Sequence, residues 1–380
     1  MHRAVRYAQG DGVVTGTLAK RDPAFALPGS SVQAVVTDAA RAARRQRLKS
    51  WGMWALRGAL AVGGVSTVAL LVRDAGPATL LEVLETAAPW IPLLLTIEVA
   101  RMGTDALATW LALGRRAHAV PIPVLARAQL IGTAVGTLAP AGRTAAEATK
   151  AALLAPWTGG APATAGAATT QAATLLSTAL ISLPCAWAAS RLTGASWITV
   201  ALLIHAAVLF LLGVGVRLVM RSPRLGRWLA RRERLSRNAA TFQQVAKETP
   251  VLSPGPTAAL LLGRALQVLQ YGVIVHAVGV SVSAVQALFS QGLNLMALAV
   301  GVLVPGQLGV SEGAFALSAS TLHTTEAKAI AIALLAHLLQ IALLPLGALT
   351  PLLWKVRAPS EPRSPTRESL KRSVITETLA

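Results

Sequence analysis

The chain has 380 residues, 54% of them hydrophobic and 13% charged, about half the charged share of a soluble domain. A mean hydropathy of +0.57 excludes an ordinary soluble enzyme and points to an integral membrane protein. The net charge of +19 comes without a zinc-finger, RNA-recognition or basic-zipper pattern, so nucleic acid is set aside in favour of anionic lipid headgroups.

Residues 1–50 mix Gly, Pro, Asp and Arg and end in "RAARRQRLKS". They carry no secretory signal pattern and read as a disordered, basic cytoplasmic arm. Six apolar runs then reach the roughly 20 residues that a helix needs to cross a bilayer: 51–72, 88–113, 161–189, 195–219, 257–279 and 327–353. Trp51, Trp90, Trp157, Trp197 and Trp354 lie near run ends, where aromatic belts sit. Two further apolar stretches, 124–154 and 283–321, are broken near the middle, at "LAPAGRTAAE" and "VPGQLGVSE". Beyond the last run, 356–380 reads as a disordered tail. The single cysteine, Cys185, lies in an apolar run and excludes both a disulfide framework and a cysteine metal site. No cofactor or metal is expected.

Charge decides how the broken stretches sit. The loop 220–250 holds eight basic residues against Glu233 and Glu248, so it belongs in the cytoplasm, as do the arm, Arg115 and Arg116. The loop 73–87, with Asp74, Glu82 and Glu85 against Arg73, suits the outside. Taking 124–154 as a full span puts the basic loop outside. Taking both broken stretches as re-entrant hairpins returns every basic segment, and both termini, to the cytoplasm. The halves 51–189 and 195–353 then read alike: span, span, hairpin, span. Each half has an odd number of full spans, so the two lie in opposite orientation. The expectation is an all-α polytopic membrane protein with six full spans and two re-entrant, broken-helix hairpins in an inverted repeat, a transporter-like design. Pro140 precedes Glu147 by seven positions and Pro305 precedes Glu312 by seven, each pair at a hairpin break.

Irregular backbone at membrane depth survives only where protein or water covers it, and a restarted helix aims its N-terminus at that cavity. Gly306 and Gly309 permit a positive φ there, and Glu147 and Glu312 are expected in the first turns of the restarted helices. Arg143 and Lys150 flank Glu147. Glu98, Arg101 and Asp105 share one face of the second span by their i, i+3, i+7 spacing, as a packing pair or as part of a polar path. Arg127 and Arg264 are candidates for phosphate contact. The amides Gln129, Gln267, Gln270, Gln291 and Asn294 fit interhelical hydrogen bonding. His205, His276 and His337 are read as lone packing residues, with no spacing that would hold a metal.

"RTAAEATKAALL" (143–154), "VPGQLGVSEGAFALSAS" (304–320) and "AKAIAIALLAHLLQIALLPLGAL" (327–349) resemble the transmembrane region of the lysylphosphatidylglycerol synthase/flippase family, over about residues 51–355. The resemblance implies a stand-alone flippase-like domain, without the aminoacyl-transferase domain, that moves an anionic or aminoacylated phospholipid between leaflets of the cytoplasmic membrane. Matched motif by motif, Arg143 and Glu147 would act in hairpin one, and Pro305, Gly306, Gly309 and Glu312 in hairpin two. The chain departs from the family pattern at Ala145, Ala146 and Gln307, where glycine is usual, and at Ser311 and His337, where arginine is common.

The site expected from the sequence is therefore substrate-binding and not catalytic: Arg101, Asp105, Arg127, Arg143, Glu147, Lys150, Arg264, Pro305, Gly306, Gly309 and Glu312. Membrane lipids with anionic headgroups are the expected partners, with an envelope-modifying protein as a further one. The competing readings are a membrane accessory or scaffold for such a partner, a membrane enzyme acting on a lipid-linked substrate, against which the basic, acid-poor loops argue, and a small-solute transporter.

Overall fold

The computed structural model describes residues 58–59, 62–139, 142–231, 233–301, 304 and 307–356. The expected arm 1–50 and the tail beyond Val356 lie outside these residues, as do Pro140, Pro305 and Gly306. Among the described residues there is no strand. The order is α1 (62–75), α2 (Pro77–Ala87), a 3₁₀ turn, α3 (Ile91–Leu113), α4 (Ile122–Leu138), α5 (Gly142–Thr158), α6 (Gly160–Thr193) and α7 (Trp197–Arg221). It continues with α8 (Pro223–Ala230), α9 (Glu233–Glu248), α10 (Pro254–Ala277), α11 (Ala284–Val300), α12 (Val310–Leu317) and α13 (Glu326–Leu353).

Five stretches are long and apolar enough to cross a membrane, namely α6, α7, α10, α13 and the run Pro77–Ala119 that contains α3. The chain is thus a multi-pass, all-α membrane protein. The expected first span falls partly on residues outside the description, and α1 is its described portion. Both broken stretches are helix–break–helix units: α4 and α5 on either side of residues 139–141, α11 and α12 on either side of 301–309.

Two expected loops are helical instead. Residues 77–87 form α2, with Pro77 in its first turn and Leu80, Val83 and Ala87 buried on one face. Proline is pre-set for a helix start, and the stretch "PATLLEVLETA" is amphipathic enough to pack. The basic segment 220–250 likewise folds into α8 and α9.

The long α6 forms the centre of the bundle. Its apolar window is 72% buried, against 22% for α7, whose Leu203, Ile204, Leu211 and Leu212 face outward. The composition of α6 explains its place. Alanine and glycine let neighbouring backbones approach. Thr169, Thr170, Thr174, Thr178 and Ser182 return their hydroxyls to carbonyls one turn back, which satisfies them inside an apolar bundle. The packing has an exchange pattern: α3 lies against α10, α4 against α13 as α11 against α6, and α5 against α6 as α12 against α13.

α4 and α5 run antiparallel. Gly132 and Gly136, one turn apart, face Lys150 and Ala146 in reverse order: a Cβ at Gly136 would stand 3.3 Å from that of Ala146, and one at Gly132 would stand 2.8 Å from Lys150 Cγ. This is a glycine-every-fourth contact, the close helix packing that membrane proteins favour.

Arg217, which the sequence reading passed over inside an apolar run, is fully buried. It donates to Thr169 Oγ1 (2.8 Å) and to the carbonyls of Thr249 (2.8 Å) and Pro250 (3.0 Å), just past the end of α9. One guanidinium thereby ties α9 to α6 and α7. Arg217→Met should leave these acceptors unmet and cost about 2–3 kcal/mol. We predict faster tryptic cleavage between residues 221 and 237 in detergent-purified protein. Cleavage at the wild-type rate would show that α9 is held by other contacts.

Candidate functional site

Six charged side chains on α3 and α5 form one chain of alternating sign. Arg101 is bidentate to Glu98, with Nε donating to Oε2 at 2.9 Å and a second bond from Nη2 to Oε1. Its Nη1 lies 3.9 Å from Asp105 Oδ2. Asp105 Oδ1 accepts from Arg143 Nη2 at 3.0 Å, which carries the chain from α3 to α5. Arg143 Nε then lies 3.3 Å from Glu147 Oε1, and Lys150 Nζ lies 2.8 Å from the same oxygen. Polar residues close both ends. Gln270 donates to Glu98 Oε2 at 3.2 Å, and Lys150 donates to Thr109 Oγ1 at 3.0 Å and to Gln129 Oε1 at 3.3 Å.

Local sequence explains the alignment. On α3 the spacings of three and four put Glu98, Arg101 and Asp105 on one face, and on α5 Arg143, Glu147 and Lys150 follow the same steps. The absence of a side chain at Gly132 leaves room for the Lys150 stem. Glu98, Glu147 and Lys150 are each 3% exposed, so their mutual neutralisation is what makes the burial tolerable. Among the described residues, Arg143 Nε and Glu147 Oε2 find no hydrogen-bond partner in this buried setting. Glu147 Oε1 also lacks hydrogen-bond geometry although it lies within ion-pair distance of two cations.

A cavity opens beside this chain, between α3, α5, α6 and α10. Arg101, Thr104, Asp105, Arg143, Ser177 and Arg264 lie on its wall. Arg264 donates to Gln267 Oε1 and to Thr178 Oγ1, each at 3.0 Å. No carboxylate lies within ion-pair distance of it among the described residues. The wall carries three guanidiniums and one carboxylate; Glu98 and Glu147 behind it pair with Arg101 and Arg143, which leaves Arg264 as the uncompensated charge. The side chains of Arg143 and Arg101 remain 32% and 21% exposed, so the cavity is reachable. Its free space of about 20 Å³ holds roughly one water.

The second helix–break–helix unit is built differently. Gly309 has φ +83° and precedes α12; its N–H donates to Glu312 Oε2 at 2.8 Å, and Glu312 sits in the first turn. Glu312 Oε1 lies 2.8 Å from His337 Nδ1 of α13. His337 is thus no lone packing residue. His205 contacts Ser182 Oγ at 3.2 Å, and His276 packs edge-on against Trp90.

Of the residues expected from the sequence, Arg101, Asp105, Arg143, Glu147, Lys150 and Arg264 come together, with Glu98 added. Glu312 and Gly309 form a second centre. Pro305 and Gly306 lie outside the described residues. Arg127 does not join: its Nε donates to the Trp354 carbonyl at 2.6 Å, at the far end of α13. Glu147 also departs from expectation. The helix α5 starts at Gly142, so Glu147 lies beyond the first turn. Proline-to-glutamate spacing is equal in the two hairpins, but the second helix restarts later, at Val310. Thr104, Thr109, Thr178 and Ser177 were missed, because a hydroxyl in an apolar helix gives no signal of which neighbour it will face.

The pairing generates a test. Arg143→Met leaves Asp105 with only Arg101 at 3.9 Å and Glu147 with only Lys150, and should cost about 3 kcal/mol. Adding Asp105→Asn should recover part of that loss, read as the unfolding midpoint in detergent. An additive double variant would mean that the two side chains do not depend on each other.

No individual curated protein and no solved structure matches the chain. Residues 54–347 match the family described as Lysylphosphatidylglycerol synthase TM region. That match spans well over half of the sequence, and the chain belongs to this family.

Proposed function

We propose that the protein is a flippase-like translocator, not an enzyme, which carries an anionic or aminoacylated phospholipid headgroup across the cytoplasmic membrane. The observation that carries this reading is the cavity between α3, α5, α6 and α10. The uncompensated guanidinium of Arg264 in an apolar bundle calls for an anion, and a phosphodiester supplies one. Arg264, which lacks a carboxylate partner among the described residues, is the natural phosphate ligand, with Arg143 and Arg101 beside it. The unmet Glu147 Oε2 suits an ammonium on an aminoacylated headgroup.

In this reading the two helix–break–helix units are re-entrant hairpins, and the halves of the chain are inverted repeats. The exchange pattern of the packing supports that arrangement. Both termini and the basic α8–α9 segment would then face the cytoplasm, where the positive-inside rule puts them. With room for about one water, the cavity belongs to a closed state. Loading a headgroup requires α5 or α10 to move outward, while the acyl tails stay in lipid.

The test is lipid translocation by purified full-length protein in proteoliposomes, with a panel of headgroup-labelled lipids. Arg264→Gln should slow transfer of the substrate lipid by about 10- to 100-fold, since a charge-assisted hydrogen bond contributes about 1.5–3 kcal/mol. Glu147→Gln should discriminate against aminoacylated lipids more than against plain anionic ones. Folded wild-type protein that flips no lipid of the panel would sink the proposal.

A further inference from the structure

The buried carboxylates fall into two kinds. Glu98, Asp105 and Glu147 face Arg or Lys, cations that stay charged across the physiological range. Glu312 faces a histidine, the side chain whose charge changes between about pH 5 and 8. Glu312 has no exposed surface, while the His337 side chain keeps 12% of its own. The imidazole is therefore the route by which a proton reaches the pair.

Among the described residues, no Asp, Lys, Arg or second Glu lies within ion-pair distance of that pair. α11 contributes no titratable residue. α1 contributes Arg73 and Asp74, which are exposed and bonded to each other. On α13, Glu326 and Lys328 lie at the far N-terminal end, and Lys328 Nζ is bonded to the Gly279 carbonyl at 3.0 Å. On α10, Tyr271 stacks on Phe315 of α12 with ring centres 5.8 Å apart. It lies within electrostatic reach of Glu312 on one side and of Glu98 and Arg101 on the other. His276 and Arg264, also on α10, are engaged with Trp90 and with Gln267.

We propose that Glu312 and His337 form a proton-binding site and that proton movement through it drives the headgroup transfer proposed above; the coupling, though not the proton binding, rests on that reading. In the deprotonated pair, neutral His337 donates its Nδ1–H to the Glu312 carboxylate. A proton from water adds to the Nε2 lone pair, and the charge of the pair goes from −1 to 0. Release from Nε2 to water on the other side restores the first state. The carboxylate also holds the Gly309 N–H, so its change of environment acts on the start of α12. A Cβ at Gly309 would stand 2.9 Å from the Gly64 carbonyl oxygen of α1, so a shift there is passed to a packed neighbour. Tyr271 places the event beside the Glu98 end of the ionic chain.

Two measurements on the full-length protein decide it. The first follows the imidazole signals of ¹⁵N-histidine-labelled protein against pH, with the His337 signal assigned by its loss in His337→Arg. The His337 signal should respond to pH, and the response should differ in Glu312→Gln. A signal that does not respond to pH, or that ignores Glu312→Gln, overturns the proton site. The second imposes a pH gradient on the proteoliposomes. Reversing the gradient should change the wild-type transfer rate by about 5-fold or more, the low end of coupling between linked sites. His337→Arg, which keeps a cation on Glu312 but holds no releasable proton, should lose that response. Transfer by the wild type that ignores the gradient overturns the coupling and leaves the lipid reading standing. A titrating His337 in a protein that flips nothing upholds proton binding and sinks the lipid reading.

Discussion

The contact between Asp105 and Arg143 joins two helix faces that could not be buried separately. α3 brings two carboxylates and one guanidinium, so its face is short of positive charge. α5 brings two cations and one carboxylate, so its face is short of negative charge. Each helix alone would hold an uncompensated ion in apolar surroundings, where the penalty is several kcal/mol. Together the six groups sum to zero. Their order, with a minus beside every plus, gives each ion opposite neighbours. Once that register is set, the place of α10 follows. Gly263 lets it approach Thr104 and Arg101, and the approach brings a third guanidinium, Arg264, to a wall already neutralised. The surplus charge of the cavity is thus a by-product of a balanced pair of faces meeting a third helix.

The two helix–break–helix units share a packing plan and differ in chemistry. The first places Glu147 between Arg143 and Lys150 in a buried, charge-balanced network. The second caps its own short helix with one Glu312 oxygen and turns the other to His337 of α13. Helix N-termini attract carboxylates, so the capping role alone would suit any acid at that position. The histidine sets the second unit apart, since it ties the cap of α12 to a neighbouring helix.

Much of this plan was legible in the sequence. Hydropathy and length gave the spans, because lipid demands about 20 apolar residues in a row. The breaks at 139–141 and 301–309 were visible as proline and glycine in apolar runs. The shared faces of α3 and α5 follow from helical periodicity alone. What stayed hidden was long-range partnership. Glu312 and His337 lie 25 positions apart, and no local spacing announces their contact. Arg217 lies near the end of an apolar run, and nothing local in the sequence marks it as fully buried against carbonyls from another segment. Arg127 misled in the opposite sense: a cation on a hairpin arm, it turns to the Trp354 carbonyl and not inward. Residues 77–87 were taken for a loop from their charge, which reports the side of the membrane but not the backbone conformation.

The hydrogen that Gly132 carries in place of a side chain has a wider meaning. Lys150 reaches Glu147, Thr109 and Gln129 only because its stem lies where a Cβ at position 132 would be. The ammonium is thus positioned by an atom that is not there, on a helix that contributes no charge to the network. A survey of functional positions confined to ionisable residues would pass over position 132. A methyl group there would remove the network's last cation from its place without altering the charge of the protein, and the lesion would register as lost function in a chain whose every polar residue is intact.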